Sequence, residues 1–145
     1  MNVAQILKTK AMDGVLTCRA DVTVKEAAEI MSERRIGTLV ISDDDSKTPQ
    51  GILSERDIVR HLGARGTDVL VLPISEIMTS KLVTCTASDT SESVLEQMIS
   101  GRFRHMPVLQ DGELIGLVSI GDVVKAQLAQ VAMERDALTD MVMGH

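Results

Sequence analysis

An internal repeat constrains this chain more than any other feature. At an offset of 67, Thr17-Cys18 falls on Thr84-Cys85, Thr23 on Thr90, Met31 on Met98 and Arg35 on Arg102. The stretch Asp43–Gln50 is two residues longer than its counterpart, Gln110–Ile115, so the offset then drops to 65. Beyond it Gly51-Ile52-Leu53-Ser54-Glu55-Arg56-Asp57 lies over Gly116-Leu117-Val118-Ser119-Ile120-Gly121-Asp122. A shorter match precedes each unit, Val3–Leu7 over Ile74–Met78 at an offset of 71. A unit of roughly 60 residues buries too little surface to be secure alone. Two copies packed together solve that problem, and they imply a pseudo-twofold body with equivalent clefts between its halves, a favoured place for ligands.

Local patterning predicts strand, helix, strand, strand, helix in each unit. In the first, Val15–Thr17 reads as a short strand. Thr23-Val24-Lys25-Glu26 is a capping box opening a helix that runs to about Arg34, with Val24, Ala27, Ala28 and Met31 as its apolar stripe. The β-branched run Thr38–Ile41, the polar turn Asp43–Ser46 and the return strand Gly51–Leu53 form a hairpin, and Ser54 caps the next helix. In the second unit Asp89-Thr90-Ser91-Glu92 precedes a helix, Met106–Leu109 and Leu114–Val118 are strands around the tight turn Asp111-Gly112, and Ser119 caps the last helix. The expected class is α/β (α+β): two pseudo-twofold-related β-α-β-β-α repeats packed sheet to sheet. Along the chain this divides into 1–66, with the N-terminal helix, then 67–132, then a helical extension over 133–145.

Charge and composition narrow the function. Lys and Arg number 15 against 21 Asp and Glu, a formal net charge of −6. A bulk nucleic-acid binder needs the opposite balance. With Phe103 the single Phe, Tyr or Trp, no stacking platform for single strands exists either. The most apolar stretch, Val69–Met78, is far short of the roughly 18 residues a spanning helix needs, and it carries Glu76. No basic leader followed by an apolar segment is present at the N-terminus, and two cysteines make neither a disulfide framework nor a CxxC-type metal site. The expectation is a cytoplasmic protein with no nucleic-acid or membrane partner. No Ser-His-Asp, HExxH, Walker or GxGxxG pattern appears, so no catalytic centre, metal site or obligatory cofactor is expected. Cys18 and Cys85 read as strand residues rather than nucleophiles.

The repeated Gly-x-x-Ser-x-x-Asp pattern carries the chemistry. Glycine permits a tight strand-to-helix turn and close approach by a ligand. The hydroxyl of Ser54 or Ser119 stands at a helix N-terminus, whose free N–H groups favour a phosphate. One turn on, Asp57 or Asp122 presents a carboxylate that accepts both hydroxyls of a ribose, as acidic residues do in dinucleotide-binding folds. Basic side chains at Arg35, Arg56, Arg102, Arg104 and His105 flank these elements and suit an anionic tail. The simpler reading of each copy is a capping box that binds nothing; duplication at matching positions favours a site.

These residues resemble the tandem cystathionine-β-synthase (CBS) domain pair, or Bateman module, over nearly the whole chain. The resemblance is carried by the two Gly-x-x-Ser-x-x-Asp segments and by Arg104-His105-Met106-Pro107-Val108, which is similar to the family's Arg-His-x-Pro-Val strand. In the first unit that strand reads Ile36-Gly37-Thr38-Leu39-Val40, without the basic and proline positions, and Gly121 replaces the first unit's Arg56. The resemblance implies an adenine pocket lined at Ile36, Leu39, Met106 and Pro107 and at the strand starts Thr17 and Thr84. The alternative for Met and Ile at strand positions is plain core. It further implies a phosphate contact at His105, and assembly into a flat homodimer through helices.

The last helix, Ser119 to about Val142, carries Val124, Leu128, Val131, Leu138 and Val142 at seam spacing, interrupted by Arg135. That stripe either covers the chain's own core, the simpler reading, or reaches a partner chain. The function expected is a stand-alone regulatory module that binds an adenine-containing ligand of the AMP, ADP or ATP class between its repeats and passes occupancy to a protein partner. The alternative is an oligomerising module with vestigial clefts.

Overall fold

Thr23 and Thr90 begin equivalent helices for the same reason. The Thr23 Oγ1 accepts the Glu26 backbone N–H at 3.1 Å, and the Glu26 carboxylate accepts that of Thr23 at 3.4 Å. Thr90 Oγ1 likewise accepts the Ser93 N–H at 3.1 Å. Each bond satisfies a donor the first helical turn leaves free. The helices that follow, α2 (Val24–Arg34) and α4 (Ser91–Gly101), both end on an arginine in the left-handed region, Arg35 at φ 54° and Arg102 at φ 56°. The computed structural model describes residues 1–10 and 15–144.

Strands β1 (Thr17–Cys18), β2 (Thr38–Ile41) and β3 (Gly51–Ser54) form one sheet in that order, β1 parallel and β3 antiparallel to β2. The second sheet repeats the topology with β4 (Cys85–Thr86), β5 (His105–Gln110) and β6 (Glu113–Ser119). The short strand expected over Val15–Thr17 forms one residue later, where Thr17 and Cys18 pair with Val40 and Ile41. Asp111 and Gly112, both at positive φ, make the tight turn between β5 and β6.

Alternation along each strand separates two faces. Leu39, Ile41 and Leu53 pack with Val24, Ala27, Met31 and Ile58, the last on α3 (Glu55–Arg65). Met106, Val108 and Val118 pack with Val94 and Met98 and with Val123 and Ala126 of α5 (Ile120–Met143). The opposite face of β2 carries Thr38 and Val40, also buried, so both sides of that strand are covered. Its neighbour is the second sheet: Thr38 Oγ1 hydrogen-bonds the His105 ring, with Nδ1 at 3.0 Å. These two residues are equivalent in the repeat, and each pairs across its own sheet with the capping serine, Ser54 or Ser119. The sheets therefore face each other, and the pseudo-twofold relation passes between Thr38 and His105.

The leading segments are exchanged between the repeats. Helix α1 (Val3–Thr9) puts Val3 and Ile6 into the second core, and the Val3 and Ala4 N–H groups donate to Asp89 O and Ala87 O, each at 2.9 Å. Val69, Ile74 and Ile77, which follow α3 in short 3₁₀ turns and their ends, complete the first core. A division of the chain at residue 66 keeps α1 with the first repeat; its side chains pack with the second. Each core is open at one end, and a short apolar segment from across the boundary closes it. Two glycines permit this. A methyl group on Gly51 would lie 2.5 Å from Met78 Sδ and 3.1 Å from Thr79 O, and one on Gly116 would lie 2.7 Å from Leu7 Cδ2.

The tail helix corrects one sequence expectation. Only Val123 and Ala126 of α5 are buried. The stripe Val124, Leu128, Val131, Leu138 and Val142 is between 40% and 80% exposed, so it does not cover the chain's own core. Gln127 and Gln130 turn towards the body instead, bonding Ser91 Oγ at 3.0 Å and the N-terminal ammonium at 2.6 Å. Among the described residues no helix is long and apolar enough to cross a membrane.

Candidate functional site

The last strand of each repeat ends directly on a capping serine, which aims a helix N-terminus and a carboxylate at the space between the sheets. Ser54 Oγ accepts the Asp57 N–H at 3.2 Å, while Asp57 Oδ2 accepts the Ser54 N–H at 2.9 Å. The reciprocal pair holds the Asp57 side chain in one rotamer. The other carboxylate oxygen, Oδ1, pairs with Arg60 one turn along α3 at 3.0 Å. The second repeat reproduces the box: Asp122 N–H to Ser119 Oγ at 3.1 Å, and Ser119 N–H to Asp122 Oδ2 at 2.9 Å.

Beside Ser54 and Asp57 opens a cleft of about 770 Å³, large enough for a nucleotide. Its walls come from both repeats and from the segment joining them. Arg56 and Arg60 line it from α3, Lys81 from the connecting segment, and Arg102, Arg104 and His105 from the second repeat. Five fixed cations against Glu55 and Asp57 make this a cationic cavity in a chain of net charge −6. Ile52, Leu82, Val83, Phe103 and Pro107 add an apolar portion that a base can occupy. The arrangement offers a diol acceptor, an apolar slot and a positive end within one cavity.

The structure thus brings together seven of the expected residues: Ser54, Arg56, Asp57, Arg102, Arg104, His105 and Pro107. Ser119 and Asp122 repeat the same reciprocal cap in the second repeat and do not line this cleft. Leu39 and Met106 are fully buried in the helix-side cores, because strand alternation turns them away from the cleft. Ile36 packs against the edge of the first core, and Thr17 bonds Ser46. Thr84 is half-buried, and Arg35 is exposed at the end of α2; neither lines this cleft. Lys81, Arg60, Thr79 and Thr38 line it without having been expected. Lys81 had a signal: the 71-residue offset, carried three residues further, places it over Lys10.

The model for the CBS domain matches residues 3–64 and 74–129. The chain belongs to the CBS domain family. The mitochondrial CBS domain-containing protein CBSX3 of Arabidopsis thaliana is 34% identical over 141 residues, covering 94% of this chain and 68% of that one. Among solved structures, a CBS-domain containing protein from Agrobacterium tumefaciens is 39% identical, with a TM-score of 0.82 over 88% of this chain and 99% of that one. A CBS domain protein from Pyrobaculum aerophilum, complexed with AMP, is 27% identical, with a TM-score of 0.77 over 92% of this chain and 99% of that one.

In this CBS pair His105 is half-buried in the wall of the cleft. Burial chiefly, with Lys10 and Arg104 beside it, holds the ring's pKa below its ordinary 6.5, against the opposing pull of Asp122 and Glu55. The folded state therefore binds this proton more weakly than the unfolded chain does. Its stabilising contribution is present above pH of about 6.5 and is lost as pH falls through the depressed folded value. The wild-type melting temperature is expected to fall between pH 7.5 and 5.5, and the fall to shrink in His105→Gln. Equal falls in the two proteins would exclude His105 as its source. The thiols are inert by comparison: burial foremost pushes Cys18 up to about 11 and Cys85 up to about 12, so both are protonated at neutral pH.

Proposed function

We propose that this CBS pair is a regulatory, non-catalytic module that binds an adenine nucleotide of the AMP, ADP or ATP class in the Asp57 cleft and passes occupancy to a protein partner. One observation carries the reading: a single cavity joins the Asp57 carboxylate of one repeat to Arg102 and Arg104 of the other. A ligand with a ribose at one end and phosphate at the other bridges the repeats. It therefore binds best to one relative arrangement of them, which is the condition for signalling. The AMP held by the Pyrobaculum relative supports the ligand class. We place the protein in the cytoplasm, where the free Cys18 and Cys85 remain reduced.

A thermal-shift titration with AMP, ADP, ATP, S-adenosylmethionine and NAD tests this. A ligand at 100 times its Kd adds about 2.7 kcal/mol to stability. For a chain of this size that is a rise of roughly 5–10 °C. The adenine nucleotide that produces the rise at the lowest concentration is the signal. No rise with any of the five removes the nucleotide reading.

A second reading has its own observation. The outward stripe on α5, with the equivalently placed Val59 of α3 at 68% exposed, is apolar surface that a second copy or a partner can cover. Flat titrations together with a stable dimer would favour an oligomerising module.

A further inference from the structure

The two Ser-x-x-Asp sites are copies in sequence, yet a lysine from outside the pattern holds one of them. Lys10 Nζ lies 2.8 Å from Asp122 Oδ2 and donates to Leu117 O at 2.6 Å. Both side chains of this pair are largely withdrawn from water, at 21% and 26% exposed. We propose that Lys10 decides which cleft takes a nucleotide: its ammonium neutralises the Asp122 carboxylate at Oδ2, the oxygen that also accepts the Ser119 N–H, so that each chain binds one nucleotide, at Asp57. The inference rests on the nucleotide reading above and adds to it the stoichiometry and the residue that sets it.

The first repeat is the internal control. Lys81, equivalent to Lys10, is exposed on the cleft wall, and among the described residues the cation paired with Asp57 is Arg60. Arg60 is 68% exposed and swings into water at little cost, as surface ion pairs do. The carbonyl equivalent to Leu117 O is Ile52 O, which accepts the Thr79 backbone N–H at 2.9 Å. A main-chain bond does there what the Lys10 ammonium does in the second repeat. Expelling Lys10 breaks two charge-assisted bonds at a half-buried site. With Lys10 in place a ribose meets only Oδ1, on a carboxylate whose charge is already offset; to take Oδ2 as well it must replace an ammonium with a neutral hydroxyl and leave Leu117 O unpaired. The second repeat also lacks one cation beside its carboxylate, since Gly121 stands where the first has Arg56.

Calorimetric titration of the full chain with AMP, and separately with ATP, reads the stoichiometry. The wild type is expected to bind one nucleotide, with affinity lowered about tenfold to a hundredfold in Asp57→Asn and unchanged within about twofold in Asp122→Asn, a comparison that needs no change at Lys10. Lys10→Met is expected to bind two, Lys10→Arg one, and Lys10→Met with Asp122→Asn one. Two sites in the wild type, one site in a folded Lys10→Met, or a wild-type site lost through Asp122 rather than Asp57 would each overturn the assignment while leaving nucleotide binding intact. Absence of binding in every variant overturns the nucleotide reading itself, and this inference with it.

Discussion

Asp57→Asn lowers the affinity for the adenine nucleotide by about tenfold to a hundredfold and leaves the fold in place. The carboxylate is the acceptor at the ribose end of the cleft, and hydrogen bonds to a charged group are worth about 1.5–3 kcal/mol each, where 1.4 kcal/mol is one decade in Kd. Asparagine keeps an oxygen for the Ser54 N–H, the bond made now at 2.9 Å, so the helix cap survives. The cost to stability is therefore about 1 kcal/mol or less, a few degrees in melting temperature. Calorimetry and thermal melts on the same preparation separate the two effects. Wild-type affinity in Asp57→Asn would remove the ribose assignment at this cleft.

Met106→Ala gives the reverse pattern. Its side chain is fully buried in the second core beside Val94, Met98 and Val118. Truncation leaves a cavity and costs about 2–5 kcal/mol, a fall in melting temperature on the order of 10 °C. Leu39→Ala does the same to the first core, where Leu39 packs with Ile41 and Leu53. Nucleotide affinity, measured well below the new melting temperature, stays within about twofold for both. The family resemblance implies that these two positions line an adenine pocket. A melting temperature unchanged by Met106→Ala, together with weakened binding, would restore that role and show that the side chain turns towards the cleft.

Much of this was legible along the chain, and the reason is locality. A capping serine and an acid three residues on make a bond within one helical turn, so Ser54 with Asp57 and Ser119 with Asp122 were visible as patterns before any packing was known. The turn at Asp111-Gly112 depends on two backbone angles. Duplication then tied these local signals into two copies of one unit. The directions of Leu39 and Met106 were not legible, because alternation assigns a side chain to a face without saying which face meets helices and which meets the other sheet. The α5 stripe misled for a related reason: seam spacing identifies an apolar face but not what it packs on, and the body is met by Val123 and Ala126, one face over.

The amino-acid sequence by itself determined the repeat, the order of its elements, the helix starts and the two carboxylates offered to a ribose, since each depends on contacts between near neighbours. Only the tertiary structure decided that α1 closes the second core, that Thr38 meets His105 between the sheets, that Arg102 and Arg104 stand across the cleft from Asp57, and that Lys10 reaches Asp122. The last three of those pairings join residues 45 to 112 positions apart. They follow from covering two small apolar cores with each other's leading segments, a condition on the whole chain that no local pattern records.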